Sequence, residues 1–115
     1  MNRDFEQRRA PRKHANSPMP IVDGMTDRVL GQLVNLSATG LMLLGSHAPR
    51  SGAVHQVTFM LPGIQQAEYR AEIGIQEQWH EPAAAAGQFW SGYRIVAASD
   101  DDVRAIDEWI GPPAD

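Results

Sequence analysis

Glycine and proline recur so often between Pro18 and Gly92 that the elements they leave are short, and the apolar period inside those elements is two, not 3.6. Pro20-Ile21-Val22 opens a first short strand, and Asp23-Gly24 turns the chain, since glycine tolerates positive φ and aspartate bonds its own backbone. Val29 to Leu36 follows, with Leu30, Val34 and Leu36 expected on one face and Gln32 between them. Leu41 to Leu44 is a short buried strand between Gly40 and Gly45. In Val54 to Leu61, Val57, Phe59 and Leu61 alternate with Gln56, Thr58 and Met60 before Pro62-Gly63. The longest alternating run is Gln66 to His80, where Ala67, Tyr69, Ala71, Ile73, Ile75 and Trp79 are expected to share a face that Glu77 interrupts. Pro82 to Gly87 is a loop. Phe89 to Ala98 is a last strand, in which Gly92 marks a bulge or a close approach to its backbone.

The period changes only at the tail. Ser99-Asp100-Asp101-Asp102 offers N-capping oxygens and negative charge, Val103, Ile106 and Ile110 follow at helical spacing, and Gly111-Pro112-Pro113 stops the helix. Six strands and then one helix lack the alternation of a parallel α/β sheet. The expectation is an all-β fold: a six-stranded antiparallel β-barrel whose closure hides its edges. Val103, Ile106, Trp109 or Ile110 is expected to cover one opening. With 115 residues the chain suits one domain, divided as a flexible basic arm over 1–17, the barrel over 18–98 and the short C-terminal α-helix over 99–111.

Charge is unevenly spread. The net charge is −4, yet five of the ten basic residues, Arg3, Arg8, Arg9, Arg12 and Lys13, precede residue 14. A basic arm on an acidic body suits a small anion better than DNA or RNA, although a solvated tail would look the same. The chain has no cysteine, which excludes disulfides, thiolate metal sites and a cysteine nucleophile, and fits a reducing, cytoplasmic setting. No apolar run approaches a membrane crossing, and Arg8-Arg9 lacks the apolar segment that a twin-arginine signal needs.

Two patterns stand out: Arg8-Arg9-Ala10-Pro11-Arg12, which contains RxxxR, and Asn35-Leu36-Ser37-Ala38-Thr39-Gly40, which contains NxSxxG. In this order, separated by about twenty residues and followed by an all-β pattern, they resemble the PilZ family over about Gln7 to Ile110. Trp79 and Gly92-Tyr93-Arg94-Ile95 resemble later positions of that family, with Ile95 in place of the common aromatic. The resemblance implies a PilZ-type β-barrel that binds the bacterial second messenger cyclic di-GMP. It also implies a protein partner in motility, pilus function, exopolysaccharide production or virulence.

The residue types suit that ligand. A guanidinium donates a fork of bonds to phosphate oxygens or to a guanine edge and stacks its flat face on a base. The resemblance assigns this grip to Arg8 and Arg12, with Arg9 adding stacking or an ionic contact. Asn35 and Ser37 are short polar groups able to bond a guanine edge, and Gly40 keeps the backbone close. Taken alone, NLSATG is also an ordinary hairpin or bulge, and Trp79 is either a ligand contact or a core residue. A PilZ-type adaptor that binds protein without nucleotide is the alternative reading.

No catalytic constellation is apparent, so no enzyme is expected, nor any cofactor. His14, His47, His55 and His80 form no ligand motif, and Asp100, Asp101 and Asp102 lack the spacing of a calcium loop, so no metal is expected. Ser37 has no activating His-Asp arrangement in the sequence.

Overall fold

The computed structural model describes residues 11–63 and 68–111. Its strands are β1 (Lys13–His14), β2 (Pro20–Asp23), β3 (Val29–Leu36), β4 (Gly40–Gly45), β5 (Val54–Leu61), β6 (Tyr69–Pro82) and β7 (Phe89–Ala97). One helix, α1 (Asp100–Ile110), follows. Every pairing is antiparallel, and the strands close on themselves in the order β3-β2-β5-β6-β7-β4, with β4 returning to β3. This is the expected six-stranded barrel. The seventh strand, β1, lies outside the ring and pairs with the end of β3, placing Lys13 opposite Leu36 and His14 opposite Asn35. The expected beginning of the longest strand at Gln66 and Ala67 lies outside the described residues.

Alternation fills the barrel. Val57, Phe59 and Leu61 from β5, Ala71, Ile73 and Ile75 from β6, and Leu41 and Leu43 from β4 are buried around Ile21. Each such Leu or Ile, withdrawn from water, contributes about 1.5–3 kcal/mol before the entropy of ordering it is subtracted.

In β3 the expected inner face is corrected. Leu33 and Leu36 are the buried pair, while Leu30 and Val34 are only half-buried. Leu33 pairs with Leu43 but Asn35 pairs with Met42, so Val34 is an extra residue in the ladder. Strict alternation cannot place Leu33 and Leu36 on one face, three positions apart, and this bulge does.

Helix α1 begins as its sequence predicts. The Ser99 hydroxyl accepts from the Asp102 N–H at 3.1 Å and the Asp102 carboxylate accepts from the Ser99 N–H, forming a capping box. Asp102 also accepts from the Tyr69 hydroxyl at 2.8 Å, which ties the first helical turn to β6. Ile106 and Trp109 are the apolar helix residues buried against the barrel, whereas Val103 faces outward. The last turn has no basic residue of its own. Lys13 of β1 supplies one, donating to the Trp109 carbonyl at 2.8 Å with its ammonium 4.6 Å from the Trp109 ring centre. Among the described residues, no helix is long and apolar enough to cross a membrane.

Candidate functional site

Two interruptions of the β ladder decide what the outer wall of the barrel displays. Beyond the bulge at Val34, Asn35 turns away from the Leu33 face and stands beside Met42 of β4. In β6, Glu77 pairs with Tyr93 but Trp79 pairs with Gly92, so Gln78 is the extra residue. Ala71, Ile73, Ile75 and Glu77 keep the inner face; past Gln78 the parity reverses, and Trp79 emerges outside with 43% of its surface exposed. The expectation that Trp79 shares the face of Ile73 and Ile75 is therefore corrected by one inserted residue.

The two displaced residues meet across β4 and β7. Between them lies an open cavity of about 360 Å³, lined by Arg12, Asn35, Thr39, Gly40, Met42, Gln78, Trp79, Gly92 and Arg94, with Leu41 and Tyr93 beneath. Sites for small ligands usually fall at roughly 300–1,000 Å³. Trp79 fits this wall because Gly92 has no side chain: a β-carbon there would overlap the edge of the indole. The close backbone approach suggested by Gly92 is thus the approach of Trp79. Gly40 meets a different constraint, since a β-carbon on it would lie 2.5 Å from the Tyr93 carbonyl oxygen, so β7 itself requires glycine there.

Arg12 crosses to this wall just ahead of β1. Its guanidinium donates to the Asn35 Oδ1 at 2.7 Å across twenty-three positions of sequence, and the Asn35 amide points on to the Met42 sulfur at 3.6 Å. Ser37 sits differently. It is fully buried, its hydroxyl accepting from the N–H groups of Thr39 and Gly40 at 3.2 and 3.1 Å and donating to the Gly40 carbonyl at 3.2 Å. The Thr39 carbonyl then accepts from Ile95 N–H at 2.9 Å, which ties the turn to β7. Ser37 therefore shapes the turn that presents Thr39 and Gly40.

The wall is electropositive in a chain that is net acidic. Arg12 and Arg94 both line it, and none of its described lining residues is a carboxylate. Arg94 is held on the outer face by donating to the Gln76 Oε1 at 3.3 Å. Two cations, the Asn35 and Gln78 amides, backbone at Gly40 and an exposed indole form a surface able to hold an anion and stack a flat ring at once. Among the described residues, no group of three or more His, Asp or Glu side chains could hold a metal ion.

Comparison with known proteins bears on the architecture. The solved structure of the Bacillus subtilis inhibitor of motility (MotI/DgrA) matches 88% of this chain with a TM-score of 0.72 at 14% sequence identity, and the match covers 48% of that protein. The chain thus spans about half the length of this structural relative. No family model matches the sequence, and no curated relative does. At this identity the likeness establishes the fold: a PilZ-type barrel of six antiparallel strands, with one outer strand and a C-terminal helix.

Of the residues singled out from sequence, the fold brings Arg12, Asn35, Gly40 and Trp79 to one cavity and buries Ser37 behind its rim. Arg8 and Arg9 lie outside the described residues. Thr39, Met42 and Gln78 line the wall without having been singled out. Met42 was accessible from alternation, two positions after Gly40 on the same face of β4. Gln78 left no such sign, because a bulge is a property of the pairing and not of either strand.

Proposed function

We propose that this chain is a cyclic di-GMP receptor domain that performs no chemistry on its ligand. One observation carries the reading: Arg12, Asn35, Gly40 and Trp79, drawn from widely separated parts of the sequence, line a single cavity free of carboxylates among its described residues. A cyclic dinucleotide brings two phosphates and two guanines. Arg12 and Arg94 are suited to the phosphates or to a guanine N7/O6 edge, Asn35 to the same edge, and Trp79 to stacking against a base. Arg8 and Arg9, a few residues before Arg12 in the sequence, would add to the grip.

Arg12 is already bonded to Asn35, so a ligand has either to share that bond or to replace it. The consequence is a rearranged arm, whose new position is read by a protein partner. Motility is the process favoured by the architecture, because its structural relative is named as a motility inhibitor. The cysteine-free composition accords with a cytoplasmic location.

Isothermal titration calorimetry of the wild type with cyclic di-GMP tests the reading directly and reports the number of nucleotides per chain. Saturable heat that falls sharply in Arg12→Ala and Arg8→Ala, with Ser37→Ala weakened through its turn, is the expected result. A folded wild type giving no heat at high micromolar nucleotide would leave the nucleotide-free adaptor as the reading of the same barrel.

A further inference from the structure

Behind Trp79, on the opposite face of β6, Glu77 is buried to 4% exposure at the end of the inner row formed by Ala71, Ile73 and Ile75. A carboxylate in that position is costly unless both oxygens are bonded. One accepts from the Gly52 N–H at 2.8 Å, in the turn before β5, and the other faces His80 Nδ1 at 2.8 Å. The second contact is the informative one. In an uninterrupted strand, residues three apart point to opposite faces, so Glu77 and His80 could not meet. They meet because the bulge at Gln78 resets the parity, leaving Glu77 opposite Tyr93 and His80 opposite Ser91 on the inner side while Trp79 goes outward. The Gln78 amide reaches back to the carbonyls of Gln76 and Glu77, at 3.2 and 3.4 Å, and bonds backbone groups at the bulge.

We infer that the Glu77–His80 pair, anchored on Gly52, is the positioning element that keeps Trp79 on the ligand wall; its effect on affinity rests on the cyclic di-GMP reading of that wall. Regular pairing would carry Trp79 to the inner face and send His80 outward, stripping Glu77 of a partner. The Glu77–His80 pair and the exposed indole are therefore two sides of one conformational choice. Neither Glu77 nor His80 lines the cavity, so both act on it only through the backbone of the bulge.

The test uses the whole chain in two single variants, Glu77→Leu, which continues the inner row of Ile73 and Ile75, and His80→Ala, and in each of these combined with Trp79→Ala, beside Trp79→Ala alone. The indole N–H resonance of Trp79, assigned by its loss in Trp79→Ala, is recorded without ligand, and cyclic di-GMP affinity is measured by calorimetry. Both single variants are expected to shift that resonance and to weaken binding by roughly five- to tenfold, and to add no further loss once Trp79 is already alanine. An unmoved indole resonance in the folded variants, or an equal loss of affinity in the Trp79→Ala background, overturns the proposal. If Glu77→Leu fails to fold, His80→Ala carries the same two readings. A wild type that does not bind the nucleotide overturns the receptor reading alone, since the resonance still decides whether the pair positions Trp79.

Discussion

The indole of Trp79 lies directly over Gly92 on the neighbouring strand, occupying the space that any side chain at that position would need. The position of the indole on the outer wall thus depends on an absent methyl group as much as on the aromatic ring. Gly92→Ala is expected to tilt Trp79 off the wall and to weaken cyclic di-GMP binding about tenfold, in the range of one lost stacking contact. The barrel should stay folded, since alanine is no worse than glycine in a paired strand. Calorimetry paired with far-ultraviolet circular dichroism separates the two effects.

Arg12 contributes little to the fold and much to the wall. Its side chain is largely exposed, and its bond to Asn35 is its one hydrogen bond to another side chain among the described residues. Arg12→Ala should change unfolding free energy by no more than about 0.5 kcal/mol. It should weaken the nucleotide by roughly ten- to a hundredfold, the range of a charge-assisted bond lost at a ligand. Arg12→Lys keeps the charge but not the planar fork, so the lysine variant is expected to recover only part of the affinity. Denaturant titrations set beside binding isotherms give both numbers.

The neighbouring residue has the opposite character. Lys13 satisfies a carbonyl in the last turn of α1 and covers the Trp109 ring, at a helix end with no basic residue of its own. Lys13→Met retains most of the stem and removes the ammonium. It should destabilise the domain by about 1 kcal/mol, lowering Tm by roughly 4 °C or more, with nucleotide binding little affected. A thermal melt of the variant beside Arg12→Ala tests this division between adjacent residues.

Acid should unfold the domain through three carboxylates. His80, followed by the Gly52 N–H, holds Glu77 below its ordinary value of 4.5. Burial pushes Asp23 and Asp102 upward, but hydrogen bonds outweigh it and leave both below 3.8: Met25 N–H, His55 and Thr26 N–H at Asp23, and Tyr69 and Ser99 at Asp102. A depressed folded value means that the unfolded chain binds more protons, so stability rises with pH through this region. The contribution is complete above about pH 5 and disappears as pH falls through the folded values. Urea midpoints measured from pH 7 downward should drop below pH 5. Glu77→Gln, which does not titrate at position 77, should show a shallower acid limb.

Local chemistry made a good deal of this molecule legible in its sequence. Strands β3 and β5 begin and end where glycine, proline and alternation predict, and Ser99 with Asp102 forms the predicted helix start. Arg12, Asn35 and Gly40 stood out because the two short patterns that contain them are unusual in combination. The short strand β1 was hidden, since two residues have no detectable period and owe their conformation to the exposed edge of β3. Ser37 stood out as polar and was expected at the ligand; the fold spends its hydroxyl inside the turn.

Alternation, turn residues and the late change to helical spacing determined an antiparallel barrel with a helix at its end, because each is a property of residues close together in the chain. Which wall carries the cavity was decided only in three dimensions. Single inserted residues at Val34 and Gln78 reverse the faces of Asn35 and Trp79. Such insertions depend on how two strands align, and a strand read by itself keeps its period of two to the end.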